Sequence, residues 1–283
     1  MLGQRIVTAI VLLAVLAATL ASANPWWFVA LLALCAACAA WEWLRLTLPR
    51  GSGVVAVGVS ALLFLGMLWL ADLWLTGEGA AALTQDWVRQ GLAPVVSVVW
   101  IVFAWVAVFR GRSDAEPASL GWSVFAVFAA LAAWSALALF FIRHGALYVV
   151  SLLALVWVAD VAAYFAGRAF GKRKLAPKVS PGKTQAGAVA GVLGAVVWTL
   201  ASGQYEGTFG HDLLQAGWAA AIIASALLGV LSIVGDLFES LLKRRAGRKD
   251  SSNLLPGHGG VYDRLDAVLP VAPVALLMSG VLF

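Results

Sequence analysis

Apolar runs close to 20 residues long recur along almost the whole chain, and this recurrence limits the fold more than any other feature. A helix needs about 20 apolar residues to cross the hydrocarbon core of a bilayer. Inside lipid every backbone N–H and C=O must be satisfied within the segment, which a helix achieves and an open strand does not. Nine candidate spans can be read, at about 4–22, 26–43, 53–71, 92–109, 122–142, 146–167, 187–203, 214–234 and 268–283. The expected fold is therefore all-α: a polytopic integral membrane protein with about nine transmembrane helices. Only 12% of the residues are charged, against roughly 25% in soluble chains, so no separate soluble domain is expected. The chain divides into N-terminal helices over 1–143 and a C-terminal region over 144–283 that carries the polar loops, within one integral domain.

Loop charge sets the expected orientation, because short cytoplasmic loops are enriched in Lys and Arg. The 168–186 and 235–267 loops together hold 12 of the 19 basic residues, while 204–213 between them has none. Both basic loops are thus expected in the cytoplasm, with the N-terminus inside and Phe283 outside; Arg143 falls outside as the exception. Residues 72–91 mix Asp72, Glu78, Asp86 and Arg89 with Gly and read as an exposed loop with a short surface helix. Residues 1–23 have the outline of a secretory signal, but apolar spans follow at once, so a retained first helix is the reading adopted. Cys35 and Cys38 form a CxxC inside an apolar run without a basic neighbour, which suits two packed thiols rather than a redox or metal pair.

Three segments carry candidate chemistry. Asp160 interrupts an apolar run, and an acid at such depth usually faces a polar cavity or a partner. On a helix Asp160, Tyr164, Arg168 and Gly171 share one face. The basic loop that follows contains Ser180-Pro181-Gly182-Lys183-Thr184. Its Gly-Lys-Thr resembles the end of a P-loop, but Pro177 stands where the first Gly belongs, so an NTPase is rejected. A flexible loop with hydroxyl and backbone donors for phosphate oxygens remains.

In the third segment Asp236, Glu239, Ser240 and Lys243 line one helix face, and Asp263 and Asp266 are three apart. Asp236 is expected near the end of a span, at interface depth. Asp236, Asp263 and Asp266 form the kind of ligand set Mg²⁺ uses, with few protein oxygens and the remainder from water and phosphates. His258 lies among glycines that permit close approach to a ligand. No zinc spacing and no GxSxG nucleophile motif is present.

The run from Ser240 through Leu242-Lys243-Arg244, Lys249-Asp250, Ser252, Leu255-Pro256 and His258-Gly259-Gly260-Val261 to Asp263-Arg264-Leu265-Asp266 resembles the signature of the phosphatidate cytidylyltransferases, the CDP-diacylglycerol synthases. Asp160-x3-Tyr164-x2-Gly167-Arg168 and Ser180-Pro181-Gly182-Lys183-Thr184 resemble the same family, so the likeness is specific over roughly 155–267. Ala186 departs from the family pattern, which usually shows Glu or Gln there, and this position is not taken as a site residue.

The resemblance implies CMP transfer from CTP to phosphatidic acid, giving CDP-diacylglycerol and pyrophosphate with Mg²⁺, in a one- or two-ion site. It implies Asp236, Lys243, Asp263 and Asp266 as catalytic residues, with the three aspartates as metal ligands. Lys243, Arg244 and Lys249 would neutralise the triphosphate or departing pyrophosphate. Ser180, Lys183, Thr184 and Arg264 would hold phosphates, Asp160, Tyr164 and Arg168 would line the substrate cavity, and His258 would orient a phosphate. The expected partners are CTP, phosphatidic acid and membrane lipids, with homo-oligomerisation left open and nucleic acid excluded because the cations are tethered at the membrane. The expected location is a bacterial-type inner membrane, with the site open to the cytoplasm and sideways to lipid. The competing readings are a CTP-dependent transferase with another lipid phosphate acceptor and a membrane transporter.

Overall fold

The computed structural model describes residues 2–281. Its helices are α1 (Leu2–Ala21), α2 (Trp26–Thr47) and α3 (Gly53–Thr76), then α4 (Ala81–Arg110), α5 (Leu120–His144) and α6 (Ala146–Phe170). A hairpin of β1 (Lys174–Ala176) and β2 (Ser180–Thr184) follows. The chain continues through α7 (Gln185–Ser202), α8 (Phe209–Gln215), α9 (Trp218–Arg245), α10 (Tyr262–Leu265) and α11 (Val268–Val281). Among the described residues, seven helices are long and apolar enough to cross a bilayer: α2 to α7 and α9. Nine were expected. The seven do not include α1, a 20-residue apolar helix, or α11, described over 14 residues.

Two local expectations are corrected. The 72–91 region is mostly helical: α3 runs to Thr76 and α4 begins at Ala81. Its polar residues are accommodated by partners, since Arg143 donates to Gln85 at 2.7 Å and Trp74 to Thr84 at 2.9 Å. Pro94 cannot donate a helical hydrogen bond, and α4 takes π-helical turns at Val88–Leu92, just before it, and at Val99–Ala104. The 168–186 loop is not wholly irregular but forms the antiparallel hairpin β1–β2. Helix α9, which carries Asp236, continues past it to Arg245 with a basic last turn.

Packing at small residues brings the polar segments together. A Cβ at Gly187 would lie 2.7 Å from the Ala163 carbonyl, one at Gly191 3.1 Å from the Ala159 carbonyl, and one at Gly194 2.9 Å from the Ala162 methyl. Helices α6 and α7 therefore approach closely along a small-residue stripe. At Gly229 a Cβ would meet Val192 and Ala195 of α7 at 3.1 Å. Gly235 of α9 lies directly beneath the Asp266 carbonyl and Pro270. On the other side, the aromatic core seats Trp43 of α2 against Tyr262 of α10, ring centroids 5.1 Å apart and nearly parallel, with Phe238 of α9 at 5.4 Å.

Candidate active site

A cavity of about 580 Å³ opens where α6, the hairpin, α7, α9 and α10 converge. Helix α6 contributes Asp160, Tyr164 and Arg168, and the hairpin contributes Ser180 and Lys183. Helix α9 contributes Asp236, and the α10 segment contributes Asp263, Arg264 and Asp266. Asp160 of α6 and Asp236 of α9 thus face one space. Charge is unevenly matched there: four carboxylates line the wall against Arg168, Lys183 and Arg264.

Lys183 pairs with Asp236 at 2.5 Å, tying the hairpin to α9. Carboxylate oxygens of Asp236, Glu239 and Asp266 lie within 4.8 Å of one another. Asp236 and Glu239 are one turn apart on α9, and Asp266 reaches them because Gly235 has no side chain to hold its backbone away. Burial, reinforced by the charge of Asp236, pushes the Asp266 carboxyl well above the ordinary carboxylate range. Glu239 is 1% exposed, and its Oε1 is buried without a hydrogen-bond partner. An orphaned buried carboxylate oxygen beside two further carboxylates fits a divalent cation, which takes oxygen ligands at short range.

Asp263 is differently engaged. Its Oδ1 accepts from Lys243 Nζ at 2.7 Å, and its Oδ2 accepts from Gly260 N at 2.7 Å, Ser251 Oγ at 2.9 Å and Ser251 N at 3.1 Å. Burial alone would raise this carboxyl. Its hydrogen bonds with Glu239, Lys243 and Gly260 outweigh that and hold it well below the usual range. Lys243 also pairs with Glu239 at 2.6 Å, so it lies behind the cavity wall and joins the two acids. The compact acidic trio therefore contains Glu239, where the sequence suggested Asp263.

The remaining expected residues separate into two groups. Thr184 lines the cavity but is buried, and its Oγ1 accepts from Gly187 N at 3.1 Å as the N-cap of α7. Arg264 lines the cavity and donates to the His258 carbonyl at 2.6 Å. Tyr164 accepts from Arg168 at 3.4 Å. Arg244, Lys249 and His258 are not in the cavity wall. Arg244 points to the Val179 carbonyl at 3.4 Å, and Lys249 is exposed in the loop after α9. His258 is partly buried, with its ring Nδ1 unpartnered.

Two functional candidates escaped the sequence reading. Glu239 lay on the recognised face but was passed over in favour of the more distant Asp263. Glu42 is fully buried in α2 and accepts four hydrogen bonds from the segment that carries Asp263. An acid within an apolar span was the available signal, the same one that drew attention to Asp160.

Comparison with known proteins identifies the family. The chain is 37% identical to the phosphatidate cytidylyltransferase of Pseudomonas aeruginosa, over 97% of this chain and 95% of that protein. It is 35% identical to the enzyme of the same name from Haemophilus influenzae, over 96% of each. A Thermotoga maritima protein, also named phosphatidate cytidylyltransferase, is 35% identical over 64% of this chain and 68% of its own length. The family model described as the cytidylyltransferase family matches residues 3–282, so nearly the whole molecule is covered, and the chain belongs to that family.

Proposed function

We propose that this protein transfers CMP from CTP to phosphatidic acid, releasing pyrophosphate and forming CDP-diacylglycerol. The observation that carries the reading is the single cavity in which cations and carboxylates from three distant segments meet. A phosphatidate oxygen attacks the α-phosphorus of CTP, the bond from that phosphorus to the bridging oxygen breaks, and pyrophosphate leaves with the electron pair. The nucleophile is already ionised near neutral pH, so alignment and charge neutralisation are the main catalytic tasks.

Arg168, Lys183 and Arg264 supply fixed positive charge for phosphate oxygens. Asp236, Glu239 and Asp266 are the residues suited to hold Mg²⁺, which when bound would offset the charge of the triphosphate. Lys243 holds Asp263 and Glu239 in register from behind the wall.

A second, apolar cavity of about 750 Å³ adjoins the polar one, and the two share Leu175, Ala188 and Ile233. Val192, Val230 and Leu237 line it, with Arg110 and Lys178 also in its wall. This groove suits the acyl chains of a lipid whose phosphate reaches the polar cavity. On this reading the polar cavity opens toward the cytoplasm of a bacterial-type inner membrane, following the basic 168–186 and 235–267 loops.

The test uses purified protein with labelled CTP, Mg²⁺ and either phosphatidate or an isoprenoid phosphate. Label is expected to enter phosphatidate-derived lipid with stoichiometric release of pyrophosphate. Preferred labelling of the isoprenoid phosphate would move the assignment to another lipid acceptor. Solute flux from vesicles without pyrophosphate release would identify a transporter and refute the transferase reading.

A further inference from the structure

Glu42 lies in α2, outside the polar segments that form the cavity, and none of its side chain is exposed. A buried carboxylate needs several donors to replace its water shell. Four are present. Its Oε1 accepts from Ser252 Oγ at 2.6 Å and Val261 N at 3.0 Å. Its Oε2 accepts from Tyr262 N at 2.7 Å and shares the single Ser251 hydroxyl proton, at 2.9 Å, with Asp263 Oδ2. Each oxygen therefore takes one donor from the start of the 251–262 loop and one from its end.

Resting on the nucleotidyltransfer reading above, we infer that Glu42 is a positioning residue: a clasp that closes the 251–262 loop and through it sets the place of Asp263, Arg264 and Asp266. The loop closes on itself at an isolated bridge between Leu255 and Gly259, so fastening both ends fixes the whole turn. Ser251 links the clasp to the site, since its hydroxyl lies 2.9 Å from both Glu42 Oε2 and Asp263 Oδ2, and its N–H also faces Asp263. Asp263 in turn holds Lys243, which holds Glu239. Gly260 makes room for the arrangement, because a Cβ there would collide with Ser251 Oγ and the Glu42 carboxylate. Trp43, next to Glu42, stacks on Tyr262 and seats the loop end on α2.

A Glu42→Gln variant has the same shape but replaces one acceptor oxygen with an NH₂ that meets donors. Supporting residues of this kind typically change activity by about 10–100-fold. Glu42→Gln is expected to lower kcat at least about 10-fold and to raise the KM for CTP and the half-saturating Mg²⁺. Glu42→Asp should recover part of the loss. Ser252→Ala should give a smaller defect that adds little in the Glu42→Gln background, since both remove one linkage. A Glu206→Gln control, in the exposed α7–α8 connection, should leave kinetics unchanged.

Hydrogen exchange provides a readout independent of turnover. The Val261 and Tyr262 amides should exchange faster in Glu42→Gln, while peptides from α5 and α6 keep wild-type rates. Unchanged exchange at 261–262 would overturn the clasp. So would faster exchange with unaltered kcat and KM, or equal acceleration throughout the helices, which marks a general loss of stability. If the wild type fails to transfer CMP to phosphatidate, the functional reading falls while the exchange result still decides whether Glu42 closes the loop.

Discussion

Gly235→Ala tests whether the acidic trio depends on backbone contact rather than on side chains alone. The added methyl would strike the Asp266 carbonyl oxygen and sit 2.8 Å from Pro270 Cγ. Neither obstacle is a flexible side-chain end, so α9 and the α10–α11 corner must part by about 1 Å, a misplacement that costs on the order of 10²-fold in rate. That loss corresponds to about 2.7 kcal/mol of barrier. Overpacking of this kind also destabilises the fold by about 1–3 kcal/mol. Turnover should therefore be normalised to folded protein and followed across a Mg²⁺ titration. We expect kcat to fall by about two orders of magnitude and half-saturation to move to higher Mg²⁺. Gly58→Ala is the matched control: a Cβ there meets nothing within 4 Å, so the same substitution should leave turnover intact. Gly235→Ala enzyme within threefold of wild type, with an unmoved Mg²⁺ midpoint, would refute the argument that close backbone approach assembles the site.

Asp263→Asn should express and yet lose CTP- and Mg²⁺-dependent turnover, because an amide NH₂ would face Lys243, Ser251 or Gly260, all donors. The lowered folded-state Asp263 pKa means its carboxylate stabilises the fold above the ordinary range, and this is lost as pH falls through the lowered value. Thermal melts of wild type should therefore fall more steeply below about pH 4 than those of Asp263→Asn. Asp266 has the opposite shift: its carboxyl keeps its proton above the usual range, and a cation must displace it. Mg²⁺ half-saturation should tighten as pH rises through that raised value, with proton release on binding, and Asp266→Asn should flatten the dependence. Val230 lines the apolar cavity and not the polar one, so Val230→Trp should raise the KM for phosphatidate about 10-fold while sparing CTP, checked by initial rates in mixed micelles.

Much of the architecture could be read because lipid tolerates few alternatives to a 20-residue apolar helix. The Asp160, Tyr164 and Arg168 face was also legible, since helical spacing alone places them together, and all three line the cavity. The start of α4 was not, because Asp86 and Arg89 look like loop residues until Arg143 and Gln85 are seen as partners. The choice between Asp263 and Glu239 was hidden for a related reason. Spacing puts both acids near Asp236, and only the positions of Lys243, Ser251 and Gly260 show that the Asp263 oxygens are occupied. Glu42 lies more than 200 residues from Ser251, Ser252, Val261 and Tyr262, so no local pattern could name its partners.

These long-range contacts also account for how one cavity can serve two anions. Both proposed substrates carry phosphate, while the wall itself carries more carboxylates than basic groups. Such a surface would repel them unless its acids were committed elsewhere. Lys183 engages Asp236, and Lys243 engages both Glu239 and Asp263. The orphaned Glu239 oxygen and the raised Asp266 carboxyl are left as the groups best placed to respond to a cation. The response of the site to a cation is then set by how the fold distributes lysines among acids rather than by the number of either.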